Sequence, residues 1–117
     1  MSKIKGVAYV AGPIRSKWRL KRWLNILRAR KVAIKLWNAG FAVICPHLNS
    51  ATLRHHVKDE EQFVRGDLLL VEKCDFLVIV DGWENSVGTL NEITTARLLN
   101  GIPIFFDVEE AITNGHM

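Results

Sequence analysis

The chain has 117 residues, 49% of them apolar and 24% charged, which is enough to bury one core and too apolar for a disordered segment; a single domain over residues 1–117 is expected. No apolar run approaches the roughly 20 residues of a membrane span, and Met1-Ser2-Lys3-Ile4-Lys5-Gly6 lacks the apolar segment of a signal peptide, so a cytoplasmic protein with no membrane partner is expected. The net charge of +4 is unevenly laid out: every acidic residue lies at Asp59 or later, whereas most of the lysines and arginines precede Phe41.

Lys5 to Ala11 reads as a first buried strand, closed by the turn Gly12-Pro13-Ile14-Arg15. A long helix follows over about 17–38 and stops at Gly40. Its basic residues (Lys17, Arg19, Lys21, Arg22, Arg28, Arg30, Lys31, Lys35) are interleaved with Trp18, Trp23, Ile26, Leu27, Ile34 and Trp37. That pattern suits an amphipathic helix with a solvated basic face better than a nucleic-acid surface, and a basic rim would also attract phosphorylated small molecules. The apolar positions are wider than one stripe. One side should pack on the sheet, and the surplus, with its tryptophans, is expected to join subunits into a homodimer or higher homo-oligomer.

Phe41 to Cys45 is the second strand, ended by Pro46, and the polar segment from His47 to Lys58 reads as a loop over the crevice. Asp59-Glu60-Glu61 opens a helix that runs to Lys73, with acids where the dipole prefers them. Phe76 to Val80 is an unbroken apolar run, the mark of a strand buried on both faces. A glycine-punctuated loop then enters a helix from Val87 to about Leu99, stopped by Gly101. Ile102 to Phe106 is the fourth strand, and Val108 to Ile112 a last helical turn. Cys45 and Cys74 each border an apolar run, outside any CxxC, and read as buried free thiols.

Strands alternating with helices predict an α/β fold: a small flavodoxin-like or Rossmann-like three-layer sandwich around a parallel sheet of four or five strands, in order 2-1-3-4. In such sheets ligands bind beyond the carboxyl ends of the strands, where the order switches. Here that brings the loops at residues 9–15 and 82–92 face to face. Ser86 can cap the following helix, and Gly88 lets a ligand approach the backbone. Glu92, four residues after Gly88, shares that face and leans toward the helix N-terminus, whose dipole favours the ionised form a nucleophile needs. The plainer reading is that Glu92 offsets the dipole and Ser86 only caps. The Ser86–Thr89 helix start with Arg15 opposite would make a phosphate site. Asp67 reads, by spacing alone, as an exposed helix aspartate; paired with Glu92 it would divide labour as in retaining glycoside cleavage.

Other chemistries lack their fingerprints. There is no GxGxxG after the first strand, no GxxxxGK followed by Ser or Thr, and no GxSxG elbow around Ser86. His47, His55, His56, Cys45 and Asp59 match no standard zinc spacing, so neither metal nor cofactor is expected.

Tyr9-Val10-Ala11-Gly12-Pro13-Ile14-Arg15, Gly66-Asp67-Leu68, Cys74-Asp75 and Ser86-Val87-Gly88-Thr89-Leu90-Asn91-Glu92 together resemble the nucleoside 2-deoxyribosyltransferase superfamily. Through Ala11-Gly12-Pro13, Pro46-His47-Leu48-Asn49-Ser50 and Gly82-Trp83-Glu84-Asn85-Ser86 the chain is similar to the small DUF4406-type proteins of unassigned function. Through the order of residues 9–15 and 86–92 it is similar to the 2'-deoxynucleoside 5'-monophosphate N-glycosidases, although Pro13 replaces a small residue of that pattern. The resemblance implies a cofactor-free enzyme acting on a nucleoside or nucleotide. Glu92 would be the nucleophile at C1', Asp67 would assist proton transfer, and Tyr9 would orient Glu92. Gly12, Ile14, Arg15, Ser86 and Gly88 would bind substrate, with His47, Asn49 and Trp83 shaping the base pocket or serving only the structure of their loops. Serine at position 86, where the nucleoside-transferring enzymes carry an aspartate, would admit a 5'-phosphate that an aspartate would repel. Two readings from other classes stay open: a nucleotide-binding sensor using the same crevice without chemistry, and a nucleic-acid-binding protein using the basic first third.

Overall fold

Strands and helices alternate along a computed structural model of the chain, which describes residues 3–13, 18–49, 53, 58–98 and 101–115. The order is β1 (Val7–Ala11), α1 (Arg19–Asn38), β2 (Ala42–Ile44), α2 (Pro46–Asn49), α3 (Glu60–Lys73), β3 (Phe76–Ile79), α4 (Val87–Leu98), β4 (Ile104–Phe105) and α5 (Val108–Asn114). The four described strands form one parallel sheet in the order β2-β1-β3-β4, as the sequence predicts. Tyr9 stands between Ile44 on β2 and Leu77 on β3, and Ala11 is level with Ile79.

The alternation of side chains along the two central strands sorts the core into two layers. Ala8 and Val10 of β1, with Phe76, Val78 and Val80, meet Ala29, Ala33 and Leu36 of α1 and Ala111 of α5. Tyr9 and Ala11, with Leu77 and Ile79, meet Val71 of α3 and Ile93 and Ala96 of α4. Phe76 anchors the first layer: its ring meets Phe41 and Phe105 edge to face at 5.2 and 5.6 Å. Such contacts contribute about 0.5–1.5 kcal/mol each beyond area burial. Cys45 and Cys74 are free and buried, as expected.

Local chemistry explains the element ends. Asp59 caps α3 by accepting from the Glu61 N–H at 3.0 Å, and Asp107 caps α5 the same way through Glu109 at 3.1 Å. Gly40 has φ +100, a left-handed turn that ends α1. Asp75 lies before β3, where its carboxylate accepts from the Val7 N–H at 2.7 Å and ties the entries of β3 and β1 together.

Two segments differ from the sequence reading. Pro46–Asn49, expected as loop, is a helical turn, because proline suits a first helical position and His47 is buried beneath it. The loop after β3 contains a 3-10 turn, Trp83–Asn85, entered through Gly82 at φ +91. No helix among the described residues is long and apolar enough to cross a membrane.

Candidate functional site

The carboxyl ends of β1 and β3 are drawn together by close backbone contact. The Val80 N–H donates to the Ala11 carbonyl at 2.8 Å. A Cβ on Gly12 would lie 2.7 Å from the Val80 Cβ, so only glycine fits there. Gly12 is buried, and its missing side chain serves this contact. Gly82 faces Pro13 across the same edge, since a Cβ there would lie 3.4 Å from the Pro13 ring. The two loops that the sequence pairs are therefore neighbours in space.

Beneath this edge, on the α3/α4 side of the sheet, the Tyr9 hydroxyl donates to the Glu92 carboxylate, across 83 residues of sequence. Tyr9 is fully buried and Glu92 largely so. Asp67 comes to the same place from α3, which packs along α4. It is half-buried, not the exposed helix aspartate that its spacing indicates, because its helix face turns toward α4 and the sheet.

The electrostatics of the three groups are coupled. Burial raises the Glu92 carboxyl to about 7; the Tyr9 hydrogen bond opposes this by favouring the carboxylate, and the negative charge of Asp67 adds to it. Burial likewise lifts Asp67 to about 6. The Tyr9 phenol is pushed up by burial and then by Glu92 and Asp67, so it stays a donor. The sequence reading has the dipole of α4 hold Glu92 ionised. Desolvation outweighs it: Glu92 lies in the second turn, where the dipole has weakened, and the low-dielectric surroundings disfavour the charge. Near neutral pH Glu92 therefore holds a proton more tightly than Asp67, which ionises first as pH rises.

Ser86 sits at the start of α4 as the sequence predicts. Its Oγ accepts from the Thr89 N–H at 3.2 Å and from the Thr89 hydroxyl at 2.9 Å. The N–H groups of Val87 and Gly88 have no partner within the helix, as at any helix start. Gly88 is exposed, and a Cβ there would meet nothing within 4 Å, leaving room for a ligand against the backbone. Trp83 is half-buried, its ring 5.2 Å from that of Phe106 and packed on the α3/α4-side core. Ile14, Arg15 and the side chain of Asn49 lie outside the described residues, as do His55 and His56. Among the described residues no group of three or more His, Cys, Asp or Glu is gathered to hold a metal ion.

Two residues near this edge carry more than the sequence indicates. His47 is buried, its Nε2 3.0 Å from the Pro13 carbonyl and its Nδ1 3.9 Å from the Cys45 sulfur. The carbonyl can only accept, so Nε2 carries the proton, and burial holds the ring below the ordinary histidine range and neutral. Burial keeps Cys45 a thiol, pushed up to about 11. His47 thus fastens the α2 turn to the first loop. Arg28 is the other: a guanidinium nitrogen lies 3.8 Å from where a Gly82 Cβ would be, so its head reaches the carboxyl edge although its backbone is mid-helix. The N-terminal tilt of side chains on α1 could have pointed to Arg28. Nothing in the polar segment after Pro46 marks His47 as buried. Arg19, Lys21 and Arg22 open α1 with no acid in its first turn, which adds positive potential at that end.

The chain belongs to the family described as "Domain of unknown function (DUF4406)", whose model matches residues 6–106. No match was found among curated proteins or among solved structures.

Proposed function

We propose that this DUF4406 member cleaves the N-glycosidic bond of a (deoxy)nucleoside 5'-monophosphate, passing the sugar to water or to another base through a covalent glycosyl-Glu92 intermediate. The observation that supports it most is the buried bond from the Tyr9 hydroxyl to Glu92 with Asp67 alongside. Two carboxyls in one apolar site supply the pair that a nucleophile and a general acid require. The reactive form has Glu92 ionised and Asp67 protonated, the less populated arrangement of a single proton because Glu92 holds it more tightly. The resemblance of residues 9–15 and 86–92 to the monophosphate N-glycosidases supplies the sugar and the bond.

In the first step a Glu92 carboxylate oxygen attacks C1', forming the ester as the bond from C1' to the base nitrogen breaks. The electron pair goes to the base, which takes the proton from Asp67. In the second step a water, or the nitrogen of a second base, attacks C1' and gives its proton to the Asp67 carboxylate, and Glu92 leaves as carboxylate. Tyr9 fixes the attacking oxygen by its hydrogen bond. The start of α4 at Ser86–Gly88 receives the 5'-phosphate, with Arg15 as its charged partner. No cofactor is required. The working form is proposed to be a homo-oligomer in the cytoplasm.

The test is incubation with a panel of nucleosides and nucleotides, with free bases assayed. Base release from a 5'-monophosphate, abolished by Glu92→Gln with binding retained, is the expected result. Nucleotide binding with no base released over long incubation would replace this reading by a non-catalytic sensor. Steep salt-dependent DNA affinity without either would move the function to the basic helix.

A further inference from the structure

α1 presents two faces of different use. Asn25, Ala29, Ala33 and Leu36 are buried against the sheet. On the side turned away lie Leu20 (70% exposed), Trp23 (58%), Leu27 (38%), Ile34 (42%) and Trp37 (54%), with Leu24 beside them. Leu20, Leu27 and Ile34 recur at intervals of seven, and so do Trp23, Arg30 and Trp37, three positions later. These are the a and d positions of three heptads, a seam that a second long helix fills.

We infer that this outer face of α1 joins two copies of the chain as an antiparallel helix pair about a two-fold axis near residues 28 and 29. That register sets Leu20 against Trp37 of the second copy, Trp23 against its Ile34, and Leu27 against its Arg30. Each tryptophan meets an aliphatic side chain, and every contact repeats with the copies exchanged, as an isologous interface requires. The area suits the purpose. At ~200 Å² per large side chain, the six apolar residues expose roughly 600 Å² on each copy, most of the about 800 Å² per partner of a standard interface. The inference stands apart from the proposed chemistry, because Glu92, Asp67 and Tyr9 lie on the other face of the sheet.

Charge decides how the pair must behave. α1 carries seven basic residues and no acid; Lys35 is held by Glu109 of α5 at 3.1 Å. Shape and area therefore select the second copy, and the like-charged rims oppose it. Exposed rims are screened by salt, so the dimer tightens as ionic strength rises. An acidic partner helix, an anionic bilayer or a nucleic acid on the same face would show the opposite slope. Arg30 is the one charge within the seam.

Sedimentation velocity on the full chain tests this, at micromolar concentrations in low and high NaCl. A species of twice the 13.3 kDa chain mass is expected, more populated at high salt. Arg30→Leu should tighten the dimer by about tenfold or more by completing the seam. Leu27→Lys, which adds a second like charge at the centre, should return it to monomer with unchanged circular dichroism. A monomer at ~100 µM in high salt, a dimer weakened by salt or by Arg30→Leu, or one indifferent to Leu27→Lys would each overturn the inference.

Discussion

Replacing Glu92 with Gln should stabilise the fold above neutral pH and leave it nearly unchanged near pH 5. The direction follows from proton linkage. A carboxyl with an ordinary value of 4.5 is raised to about 7 in the native chain, which therefore binds a proton more tightly than the unfolded chain does. Stability is full below the unfolded value and falls as pH rises through about 7, where the native chain must carry a buried charge. At about 1.4 kcal/mol per pKa unit the whole difference would be about 3 kcal/mol; partial solvent access at Glu92 reduces the expectation to about 1–2 kcal/mol. Gln keeps the shape and can still accept from Tyr9 through its amide oxygen, so no donor is orphaned. Urea denaturation followed by far-ultraviolet circular dichroism, on both proteins at pH 5 and pH 8.5, measures the effect. Glu92→Gln should have the higher midpoint at pH 8.5, with the gap closing at pH 5. A variant less stable at pH 8.5, or a gap independent of pH, would refute the reasoning.

Tyr9→Phe removes the donor that favours the Glu92 carboxylate, so the Glu92 value should rise by about one further unit, read by carbon-13 NMR titration of the side-chain carboxyl. The pH profile of base release should be bell-shaped with its maximum between about 6 and about 7, because the form with Glu92 ionised and Asp67 protonated, a minority of the free protein at every pH, is most populated there: acid protonates Glu92 and base removes the Asp67 proton. A single rising limb would remove the general acid. Gly12→Ala should destabilise the fold by about 1–3 kcal/mol in thermal denaturation, because its Cβ would press on Val80 at a strand end that cannot move away.

The architecture was legible because each strand is a short apolar run bounded by glycine, proline or acidic caps, and period and length together leave few alternatives. Strand order followed from connection rules, since two central strands buried on both faces must lie inside the sheet. The pairing of Tyr9 with Glu92 was reachable only in part. Their loops could be placed at one switch point, but a contact across 83 residues depends on the register of β1 and the tilt of α4, which no local pattern encodes. The raised value of Glu92 is hidden from the sequence for a related reason: the dipole can be read from position in a helix, whereas desolvation depends on what covers the side chain. Asp67 and His47 were obscured likewise, each polar in sequence and turned inward by the packing of α3 or α2.

The central claim is that Glu92 forms a bond to the sugar, and the most direct measurement is to look for that bond. Acid quench of the protein during incubation with a 2'-deoxynucleoside 5'-monophosphate, followed by peptide mass mapping, should find the sugar phosphate esterified to the peptide carrying Glu92 and absent from Glu92→Gln. Base release with no adduct, or an adduct on another residue, would contradict the account.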